Sequence, residues 1–490
     1  AYETKSQSID WGQAIAGETR HHLDWLYGIN VSRMLMNAIK TTGKFRIFSI
    51  GRVQGPSLNL IVKKEKEIQK FKPEAYWQVF IKIENPDLEL IYKKDIFNKQ
   101  ELKKFQGLQG KKGHADTKKV QENVPPNPPF NLTTLQTEAY RLFGINPGKT
   151  LVAAQSLYLS GLISYPRTSS QKLPLAIGYK EILDSLVKKY KVQELITREK
   201  PIEGKKIDSA HPSIYPTAQG STGNLEENQK KVYELIVRRF LSLFMDDAII
   251  ENKTINVDVD SLDQVLEFIK RGSSIKKASW LQVYPSKFKE KDVPDVKGEV
   301  LISGSRIEEK ETQPPKRYSP ASILTELEKR NLGTKATRAN ILETLYQRGY
   351  IQDQSIKATP LGISLIESLE KHSPVIIDEG LTRNFEKEMD QIQQAKKNYI
   401  EKEEKIIEKA KNTITEISEQ FKKNEEEIGQ ELLKANVQFR EQQKEENKLN
   451  ICPLCKKGTL QILYSKKTRR YFVGCSSYPE CKNVYSLPPN

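Results

Sequence analysis

The chain has 490 residues, enough for three or four ordinary domains. It carries 79 Lys+Arg against 63 Asp+Glu, a net charge of +16, which makes a polyanion the natural partner and favours nucleic acid over a membrane. No uninterrupted apolar run approaches the roughly 18 residues of a membrane span, and the N-terminus lacks a signal-peptide pattern. A soluble, cytoplasmic protein is expected, with no membrane partner.

The first 70 residues read as helices: "RHHLDWLYGINVSRMLMNAI" has apolar residues at helical spacing, and "GPSLNLIVKKEKEIQKF" sets Pro56 near a helix start. From "AYWQVFIKIENPDLELIYKK" (75–94) the period falls to two, which predicts strands. "ENVPPNPPF" (122–130) is too proline-rich for either element and reads as a connector. "QKKVYELIVRRFLSLF" (229–244) predicts an amphipathic helix, and "TINVDVDSL" (254–262) and "WLQVYPSKF" (280–288) predict strands. In the stretch 319–351, Ser319 and Pro320 suit a helix start and Asn331 to Thr334 a turn, giving helix–turn–helix and a following strand. Residues 386–446 predict one long charged helix or two, with Ile407, Ala410, Ile414, Ile417, Phe421 and Ile428 on one seam and the charges on a solvated face. The pattern suggests nested pieces: helical 1–70, β-rich 71–125, helical 126–222, β-rich 223–315, helical 316–446 and a small module at 447–490.

All four cysteines fall in that last module. Cys452, Cys455, Cys475 and Cys481 follow C-x2-C-x19-C-x5-C, the layout of a four-thiolate zinc site; two disulfides are the alternative, disfavoured in an intracellular chain without other cysteines. Lys466, Lys467, Arg469 and Arg470, followed by Tyr471 and Phe472, lie between the knuckles. Cations beside aromatic rings suit single-stranded nucleic acid.

Four stretches carry candidate chemistry. In "GLISYPRTSSQ" (161–171), Pro166 biases Tyr165 toward extended backbone, where Tyr165 and Arg167 share a face. A neighbouring guanidinium favours phenolate and can hold a phosphate. In "SIGRVQGPS" (49–57), Ser49, Arg52 and Gln54 precede a helix whose free N–H groups suit an anion. "SAHPSIYPT" (209–217) sets His211 before a proline, and "GTKATRANI" (333–341) clusters Lys335, Thr337 and Arg338 at a helix start. Each stretch alone also has an ordinary structural explanation.

Together, in order, they resemble the type IA DNA topoisomerases: "LDWLYGINVSR" (23–33), "GRVQGPSL" (51–58), "PPFNLTTLQTEAY" (128–140), "LISYPRTSS" (162–170), "AHPSIYPT" (210–217), the 318–351 stretch and "ATPLGISL" (358–365), with a zinc ribbon behind them. "YPR" and "HPSIYPT" are closer in form to topoisomerase III and archaeal members, including the topoisomerase half of reverse gyrase. The resemblance implies an α+β multidomain fold, a toroid of a helical base, a β-rich arch and a helical domain carrying the tyrosine. It implies that Tyr165 attacks one DNA strand and keeps the 5′-phosphate, that Arg167 neutralises the scissile phosphate and that His211 stands in the active-site network. It places Asp24 in that network, Arg20 upstream of it, Ser49, Arg52 and Gln54 at strand-contacting positions, and Lys335, Thr337 and Arg338 along the single-strand groove.

The family's Toprim segment, whose carboxylates hold Mg2+ and move protons, has no counterpart among these 490 residues. Asp258 and Asp260 imitate its acidic run but fit an ordinary strand face better. The expectation is therefore a nucleophile-bearing core acting on single-stranded or negatively supercoiled DNA in the nucleoid, with Toprim and Mg2+ supplied in cis or in trans. The alternatives are a single-stranded DNA clamp without catalysis, or one subunit of a split reverse gyrase working with a helicase.

Overall fold

The computed structural model describes residues 9–208, 210–217, 223–261, 264–285, 288–395, 397–465, 468 and 470–487. Helices α1 (Trp11–Thr41) and α2 (Gln54–Lys70) come first, then strands β1 (Ala75–Ile83), β2 (Leu88–Tyr92) and β3 (Lys112–Val124). Helices α3 (Leu132–Phe143), α4 (Pro147–Leu159), α5 (Tyr179–Tyr190) and α6 (Glu227–Ser242) precede β4 (Ala248–Ser261), β5 (Gln264–Lys277) and β6 (Gly298–Glu311). Next are α7 (Pro320–Lys329), α8 (Arg338–Gln347), the short pair β7 (Ile351–Gln352) and β8 (Lys357–Ala358), and helices α9 (Pro360–His372), α10 (Glu379–Gln393), α11 (Tyr399–Lys423) and α12 (Glu425–Glu446). Strands β9 (Lys448–Ile451), β10 (Thr459–Ser465), β11 (Arg470–Cys475) and β12 (Val484–Ser486) end the chain.

Two compact units result: residues 66–340, and residues 1–65 joined by 341–490. In the first, six antiparallel strands close a barrel in the order β1-β2-β5-β4-β3-β6. Closure removes both sheet edges, and the alternation of β4 fills the interior: Ile255, Val257 and Val259 are fully buried while Asp258 and Asp260 face out. A second core, built on Phe130, Leu157, Leu186, Val232 and Phe240, gathers α3 to α6. Its helices carry the caps the sequence supplies. Asn131 accepts from the Thr134 N–H to start α3, and Gly144, at φ 69°, takes the left-handed conformation that ends it. Ser319 and Pro320 open α7 as a capping box with proline at the first turn, and Asn331 (φ 56°) and Gly333 (φ 66°) make the turn before α8.

In the other unit, α1 packs on α10, α11 and α12, and α9 packs on α12. Leu23, Tyr27, Val31 and Leu35 recur every four residues and are all buried, which makes α1 the axis of this bundle. The ribbon strands order as β12-β11-β10-β9.

Two of the predicted elements differ in the structure. Residues 279–282 of "SWLQVYPSKF" form a short 3-10 turn rather than a strand. Trp280, Val283 and Tyr284 repeat at three and four residues, bury in the helical core, and Trp280 Nε1 donates to the Val124 carbonyl at 2.8 Å; burial on one helical face overrides the apparent alternation. Residues 386–446 are divided among α10, α11 and α12. Their buried seam takes Ile406 in place of Ile407, because the repeat follows a straight helix of 3.6 residues per turn. Glu386, far from being part of a solvated face, has a side chain only 16% exposed. Among the described residues no helix is long and apolar enough to cross a membrane.

The crossing of α12 over α1 is set by Gly429, where a Cβ would stand 2.1 Å from the Ala38 carbonyl oxygen. Gly429→Ala must push the two helices apart. Thermal denaturation is expected to show a loss of about 1–3 kcal/mol, and an unchanged melting temperature would remove this packing argument.

Candidate active site and metal centre

The tyrosine segment is held by pairing with the histidine segment. Ile163 bridges Pro216, Ser164 N–H donates to the Tyr215 carbonyl at 2.9 Å and Thr217 N–H to the Leu162 carbonyl at 3.0 Å. Ser164 Oγ ties the two further, donating to the Ser213 carbonyl at 3.1 Å and accepting from Tyr215 N–H at 3.0 Å. These short pieces replace a strand ladder because prolines at 166, 212 and 216 remove N–H donors. Tyr165 stands at the end of this pairing, half-buried. Its ring lies 4.7 Å from that of His211, tilted, and 5.3 Å edge-on from Tyr158.

The backbone then bends rather than continuing extended: Thr168 N–H donates to the Pro166 carbonyl at 3.0 Å, a three-residue turn centred on Arg167. Strand alternation therefore does not relate Tyr165 to Arg167; the turn does. Arg167 Nε is buried without a hydrogen-bond partner among the described residues. An unpaired buried donor on a permanent cation is costly, which is the property expected where an anion binds.

Asp208, which sequence reasoning missed, joins three of the motifs. Its carboxylate accepts from Ser169 N–H (3.0 Å), Ser169 Oγ (3.1 Å) and Ala210 N–H (3.1 Å), and from Lys335 Nζ. The side chain is 6% exposed. Burial raises its pKa, but the Lys335 ammonium and the two backbone N–H groups outweigh burial and hold the carboxyl far below the usual carboxylate range. Lys335 thus reaches the tyrosine loop as the partner of Asp208. Thr337 and Arg338 close the turn itself: Thr337 Oγ1 accepts from Thr334 N–H at 3.0 Å and Arg338 Nε donates to the Leu332 carbonyl at 3.0 Å. A cleft of about 500 Å³ opens beside this cluster, lined by Ser170, Lys172, Glu203, Asp208, His211 and Pro212 among others.

In the other unit, Arg20 and Arg52 converge on Glu386, the second residue sequence reasoning missed, and Asp24 pairs with Arg52. Arg20 meets the carboxylate of Glu386 through both terminal nitrogens, at 2.8 and 2.5 Å. Arg52, with a side chain 1% exposed, donates to Glu386 at 3.0 Å and to Asp24 at 3.1 and 2.9 Å. Burial of Glu386 opposes ionisation, yet the two guanidinium groups pull its pKa below the ordinary value. Arg52 is therefore the centre of a buried ion-pair network rather than an open phosphate clamp. Ser49 is held by Arg348 Nε at 2.8 Å and its N–H donates to Tyr350 Oη at 3.1 Å, whereas Gln54 Oε1, at the start of α2, is buried and unpaired.

The four cysteine sulfurs lie within 4.8 Å of one another, with Cys452 to Cys481 at 3.8 Å and Cys455 to Cys475 at 3.6 Å. Bonds of about 2.3 Å to a tetrahedral zinc give sulfur edges of roughly 3.8 Å, whereas a disulfide needs about 2.05 Å; the cage fits zinc. The Asn483 amide and backbone N–H groups lower Cys452 to about 6, and N–H groups of Gly458 and Lys457 lower Cys455. Cys481, despite the Asn483 N–H, is pushed up to about 12 by burial and the other sulfurs. Sulfur repulsion of this kind is what a divalent cation relieves. Tyr464 and Tyr471 pair across the ribbon with rings 5.0 Å apart. Lys466, Lys467 and Arg469, and Ser209 of the histidine stretch, lie outside the described residues.

Among the described residues magnesium finds no matching carboxylate set. Asp258 and Asp260 face outward on β4, and among the described residues the other group able to hold a metal is His372, Glu427 and Glu431.

The depressed pKa of Asp208 makes its contribution to stability fully present above the ordinary carboxylate range and lost as pH falls through the folded value. Thermal melts are therefore expected to fall in temperature from about pH 5 downward. Asp208→Asn should cost about 2 kcal/mol at neutral pH and flatten that acid dependence; an unchanged acid profile would reject the carboxylate as the anchor.

Comparison with known proteins agrees with this architecture. A family model described as DNA topoisomerase matches residues 8–402, and one described as topoisomerase DNA binding C4 zinc finger matches residues 449–490. DNA topoisomerase 1 of Pyrococcus horikoshii is 43% identical over 99% of this chain, that of Methanothermobacter thermautotrophicus 40% over 98%, and that of Methanocaldococcus jannaschii 43% over 100%. The alignments span 72%, 66% and 64% of those proteins, so the relatives are longer. The structure of full-length topoisomerase I from Thermotoga maritima superposes with a TM-score of 0.68 at 23% identity, covering 98% of this chain and 77% of the other, and so shares the fold. On the family model and these archaeal relatives, the chain belongs to the type IA DNA topoisomerases and ends in the family's zinc ribbon.

Proposed function

We propose that this chain is the strand-cleaving core of a topoisomerase in which Tyr165 is the nucleophile. Tyr165 Oη attacks a phosphodiester of one DNA strand, the bond from phosphorus to the 3′-oxygen breaks, and a 5′-phosphotyrosine and a free 3′-hydroxyl result. Another strand passes through the break, and the hydroxyl then attacks phosphorus and releases the tyrosine. Bond energy is kept in the phosphotyrosine, so no nucleotide is consumed. The outcome is relaxation of negative supercoils or unlinking of catenanes.

One observation carries this: Arg167, whose buried Nε has no partner among the described residues, centres a tight turn that directly follows a tyrosine whose ring lies against His211. An arginine without a counter-ion among the described residues suits the charge that builds on a phosphate oxygen. His211 packs on the phenol and orients it. Asp208 and Lys335 keep the loop in position. Ser49, Gln54, Thr337 and Arg338 are the strand-contacting groups, while Arg20, Asp24 and Arg52 form an ion-pair network with Glu386 in their own unit. The six domain segments 1–70, 71–125, 126–222, 223–315, 316–446 and 447–490 are the working division.

Mg2+ and acid catalysis at the leaving 3′-oxygen have no evident residues in this chain; we assign both to a Toprim segment acting in cis or in trans. DNA is the substrate, in the nucleoid, and a helicase joins only where the chain serves as half of a reverse gyrase.

The test is a covalent trap: end-labelled single-stranded DNA, magnesium and the chain, with and without a Toprim fragment, denatured and scored for a protein–DNA adduct. An adduct with Toprim that disappears in Tyr165→Phe supports the proposal. Arg167→Ala should reduce adduct formation by about 10²–10³-fold, with single-strand binding reduced far less. Tight binding without an adduct in either mixture would instead leave a DNA clamp.

A further inference from the structure

A second cluster of metal-binding side chains sits far along the chain from the cysteines, between α9 and α12. His372 occupies the last turn of α9. Its side chain is 5% exposed, and Nε2 is buried with no hydrogen-bond partner among the described residues. Facing it, one turn apart on α12, are Glu427 and Glu431, whose Oε2 atoms lie 3.9 and 4.0 Å from Nε2. The three ligand atoms lie within 4.8 Å of one another. The other oxygen of each carboxylate is turned to Lys371, whose Nζ pairs with Glu427 Oε1 and lies 3.5 Å from Glu431 Oε1. The site is thus split: one side of the carboxylate pair serves an exposed ammonium, and the other side faces a buried imidazole nitrogen too distant to hydrogen-bond.

We propose that His372, Glu427 and Glu431 bind a divalent transition-metal ion of the zinc class, clamping the end of α9 to α12. A tetrahedral ion with bonds of about 2.1 Å sets ligand edges of roughly 3.4 Å, so the Nε2–Oε2 separations need to contract by only about half an ångström. Imidazole with two carboxylates selects zinc, cobalt or nickel over magnesium, which prefers all-oxygen sites and keeps its water. The ion gives the buried Nε2 the partner it lacks and neutralises two carboxylates on adjacent turns. With Glu427 54% and Glu431 33% exposed at the side chain, the ion has an entry path and a solvent-facing position for a fourth ligand. Lys371 competes for the same carboxylates.

The full chain, stripped with chelator and titrated with zinc chloride, is expected to bind two zinc ions, a tight one at the cysteines and a weaker one here. Glu427→Gln with Glu431→Gln keeps shape and should leave one. Lys371→Met removes the competing ammonium from a side chain 53% exposed, and should tighten the second site by about 10-fold, a gain of about 1.4 kcal/mol. It also serves as the test if the double variant misfolds. Cobalt separates the sites: the first equivalent brings thiolate charge-transfer absorption and the second does not. A single bound zinc in both the wild type and Lys371→Met would overturn the proposal. So would a second zinc that survives the double Gln change, or a second cobalt that adds thiolate absorption.

Discussion

Asp208 accepts hydrogen bonds from both groups of Ser169, from Ala210 and from Lys335. Ser169 follows the Tyr165 turn, Ala210 precedes His211, and Lys335 belongs to the turn before α8, so one nearly buried carboxylate ties three segments distant in sequence. A carboxylate has about four lone-pair positions; here Oδ2 takes Ser169 N–H, Ser169 Oγ and Lys335 Nζ, and Oδ1 takes Ala210 N–H. The local backbone could not supply this rigidity, since prolines at 166, 212 and 216 interrupt a regular ladder. The loop that presents Tyr165 is therefore held by side-chain electrostatics on a helical core, an arrangement in which loss of the charge loosens the loop without unfolding the helices.

The other unit uses the same device with the signs arranged differently. Glu386 on α10 receives Arg20 from α1 and Arg52 from the turn before α2, and Asp24 completes the charge balance on Arg52. Arg52 can be buried and Glu386 nearly so because Arg20 and the half-exposed Asp24 supply the hydrogen bonds that water would otherwise provide. An arginine engaged in this way is a fixture of the bundle. Arg167, by contrast, has no such counter-ion among the described residues, and this difference separates a structural cation from one available to a phosphate.

Much of the candidate site was legible because its residues come in short motifs. Tyr165, Arg167 and His211 stood out beside prolines, the cysteines by spacing, and Ser319 and Pro320 by cap chemistry. Asp208 and Glu386 were not, for a common reason: an acidic residue in a polar stretch or on a charged helix reads as solvated unless its cationic partner is known, and those partners lie 127 and 366 residues away. The 3-10 turn at Trp280 was hidden for a related reason. A short apolar run fits period two and period three equally, and only the core it enters decides between them.

The amino-acid sequence by itself determined most of the element types, the ribbon with its four thiolates, the outward face of Asp258 and Asp260, and the order of motifs that marks the family. These depend on spacing along the chain, where backbone geometry converts period into face and cap into boundary. Only the tertiary structure decided the barrel closure, which carboxylate neutralises which arginine, the bend at Arg167 in place of a straight strand, and the meeting of His372 with two glutamates of α12. Those depend on through-space distances between residues far apart in the chain, and electrostatic and hydrogen-bond energies follow such distances rather than sequence position.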